Sequence, residues 1–501
     1  MEIYVKIFQR VFGCSGSAFV RKRGHNRSFQ PCGILATNAS YKSELRSHLC
    51  HRPAAKRVMT PSTIASEAAV ATVAPNSVML KGFSFILVSP NVSAQMGGEA
   101  IKALQINLEL AAHGACVQQV THQRVKTEIE RDFPTLKVSY VRDTWLQRTA
   151  YRIGLLSPLF SVVSEPLISL IFQWRAARLV EVLLRDNPGS IVHFTSPVSP
   201  VLPYFRVRGA KVVIGPINGN IHYPEAFRYR EPLAYRLRRL LHPILQSVNR
   251  VAFTGRRQAD VILVAGGERT RQSLLMAGCS EGQLVDSIDS GVLDRLKDSQ
   301  RITHSGRNLH FVHNGRLVAH KGTDLIIKSL KHTRNHVEVD IIGRGPELDK
   351  LKVLTHELSL QDRVKFIEWF ADHRELAQAM RRYRGFVFPS LEEANGIVVQ
   401  EAMMLGLPVI GLNWGGPSLL VTSETGILIE PLGEEYVIRG LAEAMDRLAE
   451  DGDLAEQLSA AGRQHAIDSG FLWSSVVGEW TKQYTRLRNS DLKSRESASS
   501  R

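Results

Sequence analysis

The stretch GFVFPSLEEANGIVVQEAMMLGLPVIGLNWGGP, residues 385–417, reads as a strand, a loop, a helix and the start of another strand. Phe386-Val387-Phe388 is a short apolar run closed by Pro389-Ser390, the pattern of a strand buried in a parallel sheet. Leu391 to Gly396 makes a turn that carries carboxylates. Ile397 to Met404 reads as a buried helix ended by Gly406, before Pro408-Val409-Ile410-Gly411 opens the next strand. A helix N-terminus therefore sits at the carboxyl end of a strand. In an open parallel sheet ligands bind there, because unpaired N–H groups and the helix dipole face the crevice and favour an anion such as phosphate.

Glu393 lies in the loop and Glu401 roughly one turn inside the helix, so both flank that terminus. Carboxylates repel a phosphate but accept hydrogen bonds from sugar hydroxyls, which points to a sugar phosphate or a nucleotide sugar. On spacing alone the same residues also fit a surface loop whose ordinary glutamates feed a βα unit.

The wider pattern, Glu393-x7-Glu401 followed by Gly406-x-Pro408-Val409 and Gly415-Gly416-Pro417, resembles the donor-site signature of family 4 glycosyltransferases. That resemblance implies an α/β chain of the GT-B fold: two Rossmann-like domains facing across a cleft, with a C-terminal helix crossing back to the first domain. It implies transfer with retention at the anomeric carbon. It gives Glu393 the donor sugar, Glu401 the ribose, and the amides of Gly396, Ile397 and Val398 the diphosphate.

With 501 residues, 44% of them apolar and 22% charged, the chain has enough apolar mass for two globular domains. Its formal charge of +15 is uneven. Residues 1–80 hold eleven Lys or Arg against Glu2, Glu44 and Glu67, a surplus of eight, and the other 421 residues carry the remaining seven. A basic body suits anionic lipid, a phosphorylated acceptor or nucleic acid. The absence of a zinc-finger or RNA-binding signature leaves nucleic acid out. Five scattered cysteines make no disulfide scaffold, and Cys14, Cys32 and Cys50 lack metal-ligand spacing, so a reducing compartment is expected. The Ser-, Ala-, Arg- and Lys-rich opening resembles a transit peptide, and fits equally an over-extended gene start with Met59 as the true one. The expected segmentation is 1–80 as a disordered or targeting-like extension and 81–297 as an acceptor-binding domain. Residues 298–470 form a nucleotide-sugar-binding domain, 471–487 the crossing helix and 488–501 a disordered tail.

Phe83 to Val88 is the first strand, followed by Gly97-Gly98 and an amphipathic helix from about Glu99 to Ala112. A glycine pair at this position is turn geometry, or it admits a ligand close to the backbone. The resemblance favours the second and sets Gly98 against the donor diphosphate. Further strands are read at Cys116–Thr121, Leu136–Val141, Ile191–Ser196 and Lys211–Gly219. His193 is either a structural histidine or, as the family often places a histidine here, a hydrogen-bonding partner of donor or acceptor. Ile153 to Trp174 is the most apolar window, but Pro158, Glu165 and Pro166 interrupt it, so a buried helix from Pro166 to Leu184 is expected rather than a membrane span. Dipping into a membrane at Leu155–Val163 is the minor alternative. Eight arginines between Phe227 and Arg257 alternate with Leu, Tyr and Ile, as in a basic helix lying on an anionic membrane surface or as in a solvated face. This places the chain in the cytoplasm, with peripheral contact to the inner face of the membrane.

Val261–Val264 begins the last unit of the first domain, Ser287 to Val292 leaves it, and polar residues 294–308 read as a linker. In the second domain Leu309–Leu317 is a strand and turn that bring Arg316 near Lys321. Two cations so close are suited to an anion such as a diphosphate, and the resemblance gives both residues that role. Val339–Ile342 with Gly343, and Val364–Ile367, are the next strands. In the family the loop after the latter contacts the base, and Glu368-Trp369 departs from the small residue usual there. Asp451-Gly452-Asp453 mimics the metal-binding acidic triplet of another glycosyltransferase fold, but it lies between helical segments and reads as a surface turn.

The expected function is sugar transfer from a nucleotide diphosphate sugar to a carbohydrate or lipid-linked acceptor, possibilities that include a polysaccharide precursor. The sugar nucleotide is substrate, with no cofactor and no metal. Arg316 and Lys321 neutralise the leaving diphosphate, so Glu393 and Glu401 are not the acid and base of a hydrolase. The alternatives are a non-catalytic binding or assembly partner of the same fold and a nicotinamide-dependent oxidoreductase. The first strand lacks the Gly-x-Gly-x-x-Gly opening that the latter needs.

Overall fold

The computed structural model describes residues 79–96, 98–154, 158–368 and 373–499, all within the compact unit Val58–Arg501. Two parallel sheets dominate it. The first has strands β1 (Ser84–Val88), β2 (Cys116–His122), β3 (Lys137–Val141), β4 (Ile191–Phe194), β5 (Val212–Ile217), β6 (Val261–Val264) and β7 (Leu284–Asp286), in the order β3-β2-β1-β4-β5-β6-β7. The central strands are apolar on both faces because helices cover both. Phe85 and Leu87 point with Val213 and Leu263 into one core layer, and Ile86 and Val88 with Val192 and Ile214 into the opposite one. The first layer is closed by helix α1 (Gly98–Ala112), through Ile106 and Leu110.

Between β1 and β2, α1 makes the crossover, and α2 (Lys126–Asp132) and α3 (Trp145–Gly154) flank β3. The other layer is covered by α4 (Pro158–Asp186), which buries Phe172, Ala176, Ala177 and Val180. This helix corrects the expected start at Pro166: it runs through that proline. A proline interior to a helix costs one backbone bond, and burial of the apolar stripe beyond it outweighs that cost. Residues 155–157 lie outside the described residues. Among the described residues no helix is long and apolar enough to cross a membrane.

The rest of the first domain holds α5 (Leu233–Ala252) and α6 (Gly267–Met276). The second sheet comprises β8 (His310–Asn314), β9 (Glu338–Ile342), β10 (Val364–Ile367), β11 (Gly385–Phe388), β12 (Val409–Leu412) and β13 (Gly426–Ile429), in the order β10-β9-β8-β11-β12-β13. Helices α7 (Thr323–Ser329), α8 (Leu348–Glu357), α9 (His373–Met380), α10 (Ile397–Leu405), α11 (Pro417–Leu420), α12 (Glu434–Glu450) and α13 (Gly452–Asp468) surround it. Strand order reverses between β1 and β4 in one sheet and between β8 and β11 in the other. Such switch points open crevices at the carboxyl ends of strands.

The chain passes between the domains twice, and the two passages are hydrogen-bonded. Val292 N–H donates to Phe471 O at 2.7 Å and Trp473 N–H to Val292 O at 3.1 Å. Gly291 is glycine for a steric reason, since a Cβ there would stand 2.5 Å from the Trp473 nitrogen. After this crossing, α14 (Trp473–Ser499) returns to the first domain and buries Trp473, Val477, Trp480, Tyr484 and Leu487 against Phe85 and Leu263. It corrects the tail expected over 488–501, because the helix continues to Ser499. Asp451 in the acidic triplet is a helix cap, its carboxylate accepting from Leu454 N–H at 2.8 Å at the start of α13.

Candidate functional site

The loop between β11 and α10 is held by close backbone contact. Gly396 takes φ +87° at the head of α10, and Gly415 takes φ +63° with the Glu393 carbonyl where its Cβ would be, 2.4 Å away. Gly416 N–H donates to the Glu393 carbonyl at 2.7 Å. The Gly415-Gly416 pair thus lets one loop press on another and fixes where Glu393 starts. At the helix head, the Ile397 and Val398 N–H groups have no carbonyl a turn earlier to bond to, and Ile397 is exposed.

Lys321 reaches across from the loop after β8 and donates to the Glu393 carboxylate, with both side chains mostly buried. The Lys321 ammonium also lies 5.1 Å from the Phe388 ring centre. Arg316 on the same loop is exposed and makes no ion pair among the described residues. His320 beside them is pushed down to about 4 by burial and by the Lys321 and Arg316 charges, so it stays neutral. Glu392 is pushed up to about 7 by burial, with Glu231 and Glu393 acting in the same direction against Arg238 and Lys321. Gly343 belongs to this floor: its Cβ would fall 1.9 Å from the Gly315 carbonyl, so the β8 and β9 loops close up only with glycine there.

Glu401 is half-buried one turn along α10 and lines a cavity of about 390 Å³ walled by Leu293, Leu296, Ile302, Leu376 and Met380. Burial raises its carboxyl to about 7. No hydrogen bond reaches it from the described residues. Glu393, Lys321, Arg316, Gly396, Ile397, Val398 and Gly343 therefore lie on the loops at the carboxyl edge of the second sheet, whereas Glu401 with Val398 lines the separate cavity beside α10. Glu368 pairs with Arg344 at 2.9 Å, whereas Trp369 lies outside the described residues.

His193 does not join them, and its expected catalytic role gives way. The side chain is fully buried, with Nε2 2.8 Å from Gly215 O, Nδ1 3.0 Å from the Tyr484 hydroxyl and the ring edge-on to Trp480. Burial holds it near 4. With both nitrogens engaged, it ties β4 to the returning helix α14. Gly98 opens α1 in the loop after β1, and a Cβ there would meet nothing within 4 Å, so its surroundings are open. Gly97 lies outside the described residues.

Contacts from the first domain complete the site, and sequence reading passed over them. Asn395 Nδ2 donates to Ser290 Oγ at 2.7 Å, and Trp414 Nε1 to the His222 carbonyl at 2.8 Å with Arg269 stacked 3.9 Å from its ring. Tyr223 and Phe227 insert into the core of the second domain, and Arg230 pairs with Asp324 at 2.6 Å. Trp414 and Asn395 lie within the stretch read first, but the partners just named, His222, Arg269 and Ser290, are more than 100 residues away. No local pattern announces such pairs. Among the described residues no group of three or more His, Cys, Asp or Glu is placed to hold a metal ion.

Residues 294–465 match the family model for glycosyl transferases group 1. This segment, about a third of the chain, is similar to glycosyl transferases group 1. It is 36% identical over 150 residues to the lipopolysaccharide core biosynthesis glycosyltransferase LpsD of Rhizobium meliloti, covering 30% of this chain and 42% of that protein. It is 34% identical over 176 residues to a GDP-mannose-dependent alpha-(1-6)-phosphatidylinositol monomannoside mannosyltransferase of Mycobacterium tuberculosis, covering 33% and 44%. The chain thus spans less than half the length of these two relatives. Around the group 1 domain, the whole fold superimposes on Anabaena Alr3699/HepE in complex with UDP and glucose with a TM-score of 0.54, at 17% identity over 81% of this chain and all of that one. The architecture is GT-B.

Proposed function

We propose that the chain is a retaining glycosyltransferase that moves a sugar from a nucleotide diphosphate sugar to a carbohydrate or lipid-linked acceptor. The observation that carries this reading is the pairing of Lys321 with Glu393 beside the free N–H groups of α10, with Arg316 unpaired and Glu401 one turn beyond. The Lys321–Glu393 contact neutralises both groups. A donor would exchange it for two better-matched contacts: Lys321 and the Ile397 and Val398 amides on the diphosphate, and Glu393 accepting from a sugar hydroxyl. Glu401 would accept from the ribose hydroxyls.

As the bond from the anomeric carbon to the phosphate oxygen breaks, its electron pair moves to the diphosphate. Arg316, Lys321 and the helix head stabilise the charge that collects there. Retention requires the acceptor oxygen to arrive on the face the phosphate leaves. In this reading the first domain carries the acceptor. The crystal complex of Alr3699/HepE with UDP and glucose supports a nucleotide sugar as donor class, and the group 1 match supports sugar transfer as reaction class.

The test is a thermal-shift series with nucleoside diphosphates and their sugars on the parent and on Glu401→Ala, followed by NMR of the product anomer. Selective stabilisation that Glu401→Ala removes, and a product of the donor's own anomeric configuration, are expected. No stabilisation by any nucleotide and no transfer would shift the reading to a non-catalytic binding partner.

Peripheral membrane contact is part of this proposal, because α5 turns Leu233, Leu240, Ile244 and Val251 outward while it buries Gln246 and Asn249.

A further inference from the structure

The first passage of the chain between the domains, residues 287–292, is anchored along its length. Ser287 Oγ accepts from Trp480 Nε1 of α14 at 2.8 Å. Asp289 accepts from Lys102 Nζ of α1 at 2.8 Å. Ser290 Oγ accepts from Asn395 Nδ2 in the loop before α10 at 2.7 Å, and Val292 exchanges backbone bonds with Phe471 and Trp473. One short segment therefore touches the first helix of the first domain, the returning helix and the donor loop.

Lys102 and Asp289 are almost wholly buried, 4% and 7% exposed. Withdrawing two charges from water costs about as much as their attraction returns, so a buried ion pair adds little stability, and its best-attested use is to fix the arrangement of the parts it joins. Here the parts are α1 and the residue immediately before Ser290. A side chain locked at 289 leaves its neighbour little freedom, and Ser290, buried as well, presents its hydroxyl to Asn395 across the domain boundary.

Asn395 carries that constraint into the donor loop. Gly416 presses on its carbonyl, where a Cβ would stand 2.3 Å from the oxygen, and Ser290 holds its side chain. The next residue is Gly396 at φ +87°, followed by the N–H groups of Ile397 and Val398 at the helix head. Such groups bind an anion through their direction as well as their partial charge, so a small turn of the preceding peptide misaligns them. The Gly416 contact comes from the second domain itself; the Ser290 contact comes from the first.

We propose that Lys102, Asp289 and Ser290 are positioning residues: through Asn395 they let the first domain set the direction of the α10 N–H groups, so that the diphosphate seat of the second domain is completed by its neighbour. Naming a nucleoside diphosphate as the ligand of that seat rests on the glycosyltransferase reading; the mechanical link does not.

The experiment is residue-resolved hydrogen exchange on the full chain without ligand, in the parent, in Ser290→Ala and in the double variant Lys102→Met/Asp289→Leu, followed by titration of each with UDP and GDP. The amides that report on the loop are those of Val399 and Gln400, bonded to the Gly396 carbonyl, and Gly416, bonded to that of Glu393. Ser290→Ala removes one hydroxyl. The double variant replaces the ion pair by apolar groups, so it leaves no unpaired buried charge of the kind that would unfold a single substitution. Exchange at the three amides is expected to rise about tenfold in both variants, with β8 and β11 as protected as in the parent. The nucleotide that the parent binds is expected to bind both variants about tenfold more weakly. Unchanged exchange at the three amides in either variant, a rise spread evenly over the second sheet, or unchanged affinity for a nucleotide that the parent binds would overturn the proposal. The two readings fail separately. Locally raised exchange in a chain that binds neither UDP nor GDP leaves the link standing and removes the donor site, whereas nucleotide binding with unchanged exchange keeps the donor site and removes the link.

Discussion

Glu401 loses solvation when it ionises, because burial surrounds its carboxyl. Its folded value of about 7 stands above the ordinary 4.5, so the folded chain holds a proton that the unfolded chain releases between those values. The stability this group contributes is therefore complete below about 4.5 and lost as pH rises through 7. We expect the melting temperature of the parent to fall relative to Glu401→Gln between pH 5 and pH 8, and a constant difference would refute that sign. Donor binding has the opposite slope, since ribose hydroxyls donate to the ionised carboxylate. Nucleotide affinity in the parent should rise through pH 7, and the glutamine variant should lack that step. His193 and His122 show why residue identity alone says little about role. Both are buried and held neutral, the first tying β4 to α14 through both nitrogens and the second set against Asp143, with Nδ1 3.0 Å from its carboxylate.

Helix α5 inverts the usual arrangement of an amphipathic surface helix. Leu233, Leu240, Ile244 and Val251 are spaced by seven, four and seven residues and so share one stripe, and each is more than half exposed. Arg236 and Arg250 are exposed beside them. Burying one such side chain is worth about 1.5–3 kcal/mol. Leu240→Asp with Ile244→Asp should therefore weaken co-sedimentation with phosphatidylglycerol vesicles more than tenfold, while phosphatidylcholine vesicles retain little of either protein. Equal binding of parent and double variant would dismiss the membrane role. Strands of both sheets were legible in the sequence because a buried parallel strand is a largely apolar run stopped by glycine or proline, as at Val339–Ile342 before Gly343 and Phe386–Phe388 before Pro389. β7 was not, because only Leu284 of its three residues is fully buried. The donor loop was legible because its glycines and carboxylates are neighbours in the chain. A first-domain cavity beside Asn91 was not, because its wall is assembled from six separate segments, from residues 90–91 to 196–202.

The two domains are joined by more than their linkers. Residues 221–231 belong to the first domain by sequence but bury Tyr223 and Phe227 in the second, and Tyr229 donates to Glu434, which also accepts from Lys328 at 2.6 Å. This arm lies where a closing motion would have to act. Removing the partly buried ion pair with Arg230→Ala should raise hydrogen exchange in residues 221–231 while leaving β1, β4 and β5 protected. Unchanged exchange there would show that the apolar insertions alone hold the arm. The hydrogen-bonded passages at Val292 and Leu472 carry a different implication. The chain leaves the first domain and re-enters it at adjacent points, so the entire second domain is topologically a cassette spliced into a single loop of its host. Its two ends lie side by side, and a replacement cassette must offer the same seat to Tyr223 and Phe227 as well as the same seam.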